Sequence, residues 1–475
     1  MNPPFVRSVG GNLLFGSLPD ERGLLQKELK ARVKNIGASS TAGLGSVFVA
    51  LADRRLAKGG RLAFVLPAAL ATGEAWAPTR KLIANGYHLE TVISSHDAAR
   101  PNFSENTDLS EILFIARKLH KEKPGPTTYV NLWRNPRSIH EALDLATRIT
   151  HEENPVDIGG TGFTSIRSPN GKLGEIMTTP GPVGENNWTG ALFAQTELAR
   201  SCWGLQTGEL RVPGHSSPYP IKMSRLDALG DLGYDRRDIH DAFEVSYEDW
   251  SPYSAFWGHE AAKVTSVGQE PTAKLIARSV AAPGRHLKSA TAVWGKAGRI
   301  LIVERLRSNT HKLLAIGFEK PVLGNTWWAF DDKKLSESQR KALLLWLNSS
   351  LSLLVFFGRR VITQGAWMQM KKPAWLSMPV LDVRALTKQQ LNLIEKAYKE
   401  ISTQELAALG QLDADPIRKQ IDDTLSKVLG FPDLGPIREL LAREPGLNAV
   451  DINPRATPSI SDDEEDEDTQ TAMAI

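Results

Sequence analysis

Cysteine occurs once, at Cys202, which excludes an internal disulfide and a cysteine-built metal cluster and makes a reducing cytoplasm the expected compartment. No His-Glu-x-x-His, Walker loop or Gly-x-Ser-x-Gly occurs, and the ten histidines show no ligand spacing. Metal-dependent, nucleotide-hydrolysing and serine-hydrolase chemistries are set aside on that ground. Long apolar runs are missing too. The most apolar stretch, Ala342 to Phe357, is shorter than the roughly 20 residues of a spanning helix and is broken by Asn348, Ser349, Ser350 and Ser352. The first residues lack a basic segment followed by an apolar one, so no secretory signal is expected.

What is present is ordinary for a chain that packs a core: 41% hydrophobic and 23% charged residues. A length of 475 residues points to two or three domains. The net charge of +3 conceals an asymmetry, because the seven residues Asp462 to Asp468 are all acidic and the rest of the chain is correspondingly basic. A basic body suits a polyanion, and the acidic run fits a solvated tail.

Residues 1–118 have the rhythm of an α/β sheet. Leu44, Val47, Phe48, Leu51 and Ala52 recur at helical spacing, Gly59-Gly60 ends that helix, and Leu62 to Leu66 is a buried strand closed by Pro67. A second helix is expected over about 75–84, and further strands over Leu89 to Ile93 and Glu111 to Ala116. With only the polar loop Ser94 to Asp108 between them, these two strands are expected to pair as an antiparallel hairpin at the sheet edge. Residues 119–128 have linker composition. Ten of the twelve tryptophans lie at or after Trp188, within a mixed region, 129–385, of short strands and turns. Ser336 with Gln339, and Thr387 with Gln390, form capping boxes, and Asp415-Pro416 starts another helix. A helical bundle over 386–450 and an unstructured tail over 451–475 complete the organisation.

The chemistry is concentrated in Asn2-Pro3-Pro4-Phe5. An asparagine oxygen and the carbonyl of Pro3 can both accept from an exocyclic amine on a base, the two prolines stiffen the loop, and Phe5 can stack on an extruded base. A proline-rich loop without chemistry is the plainer reading of four residues alone. The order of segments that follows is more telling. Asn2 to Phe5, then Lys58-Gly-Gly-Arg-Leu-Ala-Phe-Val-Leu-Pro67, Arg80-Lys-Leu-Ile83, Phe103-Ser-Glu-Asn-Thr107 and Leu113-Phe-Ile-Ala-Arg-Lys118 closely resembles the γ-type adenine N6 DNA methyltransferases. That family includes type I modification subunits, type IIG enzymes and the large methyltransferases of phage-defence systems.

The resemblance implies an α/β fold: an incomplete Rossmann-like methyltransferase sheet, a mixed α+β target-recognition domain and a small helical bundle. It implies S-adenosylmethionine as methyl donor, double-stranded DNA as partner, and Asn2, Pro3, Pro4 and Phe5 as the catalytic loop, with Phe103 and Asn106 near the flipped base. In that family the glycine-rich donor site precedes the Asn-Pro-Pro-Phe motif, whereas here Met1 alone precedes it. Gly160-Thr-Gly162, Trp257-Gly258 and Trp294-Gly-Lys-Ala-Gly298 are glycine stretches without the expected strand, turn and helix, so the donor-binding half is expected on a partner chain, or beyond a gene interruption or a start placed too late, and the sequence does not choose among these. Cations among aromatics mark the DNA-binding set as Arg359, Arg360, Lys371, Lys372 and Trp367, with Arg305, Arg307, Lys312, Trp327, Trp328 and Trp375 nearby in kind. A non-catalytic DNA-binding or scaffold subunit is the alternative, and methylation of RNA adenine or a protein glutamine a weaker one.

Overall fold

The computed structural model describes residues 1–5, 19–34, 36–97, 99–100, 102–104, 110–151, 164–168, 171–179, 181–186, 188–234, 236–258, 263–362 and 367–448. The fold is mixed α/β. Among these residues, a six-stranded sheet opens the chain, with β1 (Arg61–Pro67), β2 (Tyr87–Ser95), β3 (Glu111–Lys118), β4 (Thr128–Leu132), β5 (Thr164–Ser168) and β6 (Gly171–Thr178) in the order β1-β3-β2-β4-β6-β5.

β2 and β3 are antiparallel, as expected, but they do not close the sheet. β3 is inserted between β1 and β2, antiparallel to both, and β2 continues on its far side into parallel β4. The sheet therefore runs across the stretch of linker composition. The reason is burial: β4 alternates too little to sit at an edge, with Tyr129, Val130, Asn131 and Leu132 all buried.

Apolar alternation in β1 and β3 brings Phe64 and Phe114 to a stacked pair 6.0 Å apart, with Trp188 edge-on to Phe114. The helix Leu44–Arg55 is held at its end by Asp53, whose carboxylate meets Lys118 Nζ at 2.9 Å and accepts from the Tyr87 hydroxyl at 2.7 Å. Arg80 is buried and donates to the carbonyls of Leu70 and Gly73 at 2.8 Å and of Glu185 at 2.6 Å, so it fixes the turn that follows β1.

A seven-stranded sheet forms the second region. Its central strands, Gly298–Val303 and Ala315–Gly324, are flanked by Trp327–Asp331 on one side and Ser254–Phe256 on the other. A Cβ at Gly298 would lie 1.8 Å from the Phe330 carbonyl oxygen, a backbone atom that cannot give way. Gly298→Ala is expected to lower the unfolding free energy by about 1–3 kcal/mol, as overpacking does, and a urea titration measures it.

Three short strands, Arg305–Arg307, Trp367–Gln369 and Val361–Ile362, pair antiparallel in that order. They lead back to the first sheet, because Thr72 donates to the Arg360 carbonyl at 2.7 Å. Both capping boxes form, and Asp415 caps Pro416–Leu429 by accepting from Ile417 and Arg418 N–H. No single helix among the described residues is long and apolar enough to cross a membrane. Glu337–Leu347 and Ser350–Phe357 are bent by 61° at Asn348-Ser349 and lie within the core.

Candidate functional site

Parallel strands leave their carboxyl ends on one edge of a sheet, and ligands collect there because loops can converge without crossing the core. β1, β2 and β4 run in one direction here. Met1 extends the pattern. Its amino group donates to Ala63 O at 2.6 Å and its carbonyl accepts from Val65 N–H at 3.1 Å, the pairing of a parallel neighbour on the outer edge of β1. Asn2 to Phe5 is thereby delivered to the carboxyl edge.

Pro3 is buried, Asn2 and Pro4 are exposed, and Phe5 is half-buried against the core. The Asn2 amide donates from Nδ2 to Ser104 Oγ at 2.9 Å, which leaves Oδ1 as its acceptor. Ser104 is itself fixed, since Phe103 and Ser104 N–H donate to Glu111 Oε2 at 2.7 and 2.8 Å. Glu111 is buried at the head of β3, opposite Pro67, and its Oε1 has no partner. Phe103 belongs to this loop, whereas Asn106 lies outside the described residues. The next strand end adds Asp97, whose carboxylate accepts from Ala99, Arg100 and Asn135 N–H at 3.0–3.2 Å and shapes the loop leading to Asn102. His96 stands beside it, its pKa pushed down to about 3 by burial and by the Arg360 charge, and is therefore neutral at pH 7.

The proposed DNA cations are mostly spent inside the molecule. Arg360 is buried, donates to the carbonyls of Leu192 and Phe357, lies over the Phe357 ring and faces the Glu444 carboxylate. Burial depresses its pKa to about 9, so it stays charged but cannot reach a phosphate. This corrects the expectation for Arg360. Arg359 is half-buried and donates to Ser377 Oγ at 2.7 Å. Lys372 donates to the Leu232 carbonyl and stands 3.8 Å from Asp231. Lys371 alone of the four is exposed. Trp367 lies on a strand opposite Arg307. Trp375 is core, its indole N–H donating to Val303 O at 2.9 Å, and Trp327 is 7% exposed.

Basic and aromatic residues do meet elsewhere. A cleft of about 790 Å³ opens in the second region, and Arg236, Arg237, Lys263, Arg305, Trp257 and Asn325 contribute to its wall. Sequence reasoning passed over most of these. The Arg236-Arg237 pair is a usable signal in the sequence, whereas Trp257-Gly258 reads there only as a glycine turn.

The glycine stretches can be tested against a donor pocket. Gly160-Thr161-Gly162 lies outside the described residues, Gly258 lines the cleft, Gly295 ends a five-residue helix and Gly298 opens a strand. None of those described follows a parallel strand of the first sheet, so these residues do not fit S-adenosylmethionine. Among the described residues no cluster of three or more His, Cys, Asp or Glu side chains could hold a metal ion.

No family model matches the chain, and no curated protein matches it. Among solved structures it is similar to the type IIG restriction endonuclease BpuSI, at 11% identity and a TM-score of 0.32, over 90% of this chain and 52% of that one. It is also similar to a chain of the type I restriction-modification system, at 16% identity and a TM-score of 0.22, over 32% of this chain and 29% of that one. A third likeness is to a chain described as a type I modification subunit from Vibrio vulnificus YJ016, at 15% identity and a TM-score of 0.19, over 39% of this chain and 36% of that one. The chain spans about half the length of the type IIG enzyme.

Proposed function

We propose that this chain supplies the target-amine side and the DNA-recognition region of an adenine N6 DNA methyltransferase of a restriction-modification or phage-defence system. The observation that carries the reading is the Asn2 side chain, held by Ser104 with Oδ1 as its acceptor at the carboxyl edge of the parallel strands. Oδ1 and the Pro3 carbonyl are the acceptors for an extruded adenine amine. Positioning by these groups is what the chain contributes; methyl transfer draws on S-adenosylmethionine held outside the described residues. Duplex DNA is the substrate because the chain is basic outside its acidic run.

The test places 2-aminopurine at candidate adenine positions of a duplex and follows its fluorescence. Wild type raises the signal as the base leaves the stack, and Asn2→Ala does not. A non-catalytic DNA-binding or scaffold subunit is the alternative reading, and it predicts equal DNA binding by both proteins with no fluorescence change in either.

Arg360 and Lys371 separate structure from recognition. Arg360→Met is expected to cost about 1–3 kcal/mol by leaving the Leu192 and Phe357 carbonyls buried without their donor. It leaves the salt slope of DNA binding unchanged for the folded fraction. Lys371→Ala keeps stability and reduces that slope by about one. Thermal melting and fluorescence anisotropy across a salt series check the pair.

A further inference from the structure

The cleft of the second region has the composition of a site for one unstacked nucleotide. Its volume of about 790 Å³ falls in the roughly 300–1,000 Å³ range of small-molecule sites. Four cations, Arg236, Arg237, Lys263 and Arg305, line it against one carboxylate, Glu304. Arg236, Arg237 and Arg305 are exposed. That balance attracts an anion, and guanidinium forks match phosphate oxygens.

A bare anion does not account for the rest of the wall. Trp257 is half-buried, steadied by an edge-on contact with His240 at 5.3 Å and by Thr272, which bonds both its N–H and its carbonyl. It offers a fixed aromatic surface. Asn325 is 3% exposed and lines the same cleft. Its Oδ1 accepts from Thr326 N–H at 2.9 Å, while Nδ2 has no partner. A buried amide donor left without a partner is destabilising, and a base carbonyl or ring nitrogen entering the cleft is an acceptor for it. His311, on the same wall, has its pKa lowered to about 4 by burial, so at neutral pH the positive charge comes from the arginines and the lysine.

We infer that this cleft binds a nucleoside 5′-phosphate unit, with its base against Trp257 and Asn325 and its phosphate at Arg236, Arg237 and Arg305. The inference stands apart from the methyltransferase reading, since none of these residues belongs to the Asn2 loop. Two sources share this chemistry, a free nucleotide and a nucleotide within a DNA strand.

Calorimetry on the full chain with 5′-AMP, a twelve-nucleotide single-stranded DNA and inorganic phosphate distinguishes them. Binding of both AMP and the oligonucleotide, each displacing the other, identifies a site open to free nucleotides. Binding of the oligonucleotide alone identifies a strand site. In either case the paired variant Arg236→Ala/Arg237→Ala and the single variant Trp257→Ala each weaken binding at least about tenfold, the loss of one charged or stacking contact. The arginines are exposed, so the paired variant keeps the fold, which its melting temperature verifies. Asn2→Ala leaves this binding unchanged. Inorganic phosphate binding as tightly as AMP, or a paired variant that binds both nucleotide probes like wild type, overturns the inference.

Discussion

Asp422→Ala is expected to lower the unfolding free energy by about 3–5 kcal/mol, the usual consequence of removing one partner from a buried ion pair. Asp422 is fully buried and organises three helices. Its Oδ1 accepts from Ser350 N–H at 2.9 Å and its Oδ2 from Ser350 Oγ at 2.6 Å, at the start of Ser350–Phe357. Oδ2 also meets Arg438 Nη1 at 2.9 Å, on Gly435–Ala442. Alanine leaves the Arg438 guanidinium, 5% exposed, without its carboxylate. Asp422→Asn, which retains an acceptor for Ser350, loses less. Urea denaturation of the two variants checks this, and a loss below about 1 kcal/mol for alanine, the scale of an exposed pair, contradicts it.

Asn2→Ala carries the other large effect. In a mixture of this chain, a partner chain carrying the donor half, S-adenosylmethionine and duplex DNA, the variant is expected to form N6-methyladenine at least about 100-fold more slowly, as when a single aligned hydrogen-bonding group is lost from a transition state. DNA affinity stays within about twofold, because a single neutral contact at the base adds little to a phosphate-dominated interface. Digestion of the DNA and quantification of N6-methyladenine gives the rate. Retention of a tenth or more of the wild-type rate sinks the assignment of Asn2, and a wild type inactive in every mixture supports the scaffold reading instead.

Local signals were the ones legible in the amino-acid sequence. The capping residues Ser336, Thr387 and Asp415 act on backbone groups two or three positions away, so their roles follow from order alone. Strand existence was equally local: the continuous apolar run Leu62–Leu66, bounded by Gly59-Gly60 and Pro67, is a property of the segment. Strand order is not. The polar loop between β2 and β3 is compatible with an edge hairpin or with β3 entering between its neighbours, and packing of Phe114 between Phe64 and Trp188 accompanies the inserted order.

The site divides the same way. Asn2 could be singled out because its chemistry lies in four consecutive residues, but Ser104 and Glu111, which fix its rotamer, become neighbours only when β3 is placed beside β1. Arg360 looked like a phosphate ligand because a dibasic pair carries no mark of burial; its partners, the Leu192 carbonyl and Glu444, come from remote parts of the chain. Asn325 was invisible for the opposite reason, since an unmet amide donor is a property of the folded cleft.

The three short strands that join Arg305–Arg307 through Trp367–Gln369 to Val361–Ile362 constrain how this protein can be re-engineered. Met223–Arg225 likewise pairs with Pro379–Leu381. The second region is stitched from segments far apart in the chain, so the cuts that exchange it have to fall outside Met223 and Leu381. A chimera that replaces residues 226–360 alone breaks the first of these seams, whereas one that carries 223–381 intact keeps both pairings and still has to rebuild the contacts of Arg360 with Thr72 and Leu192 and of Ser350 with Asp422.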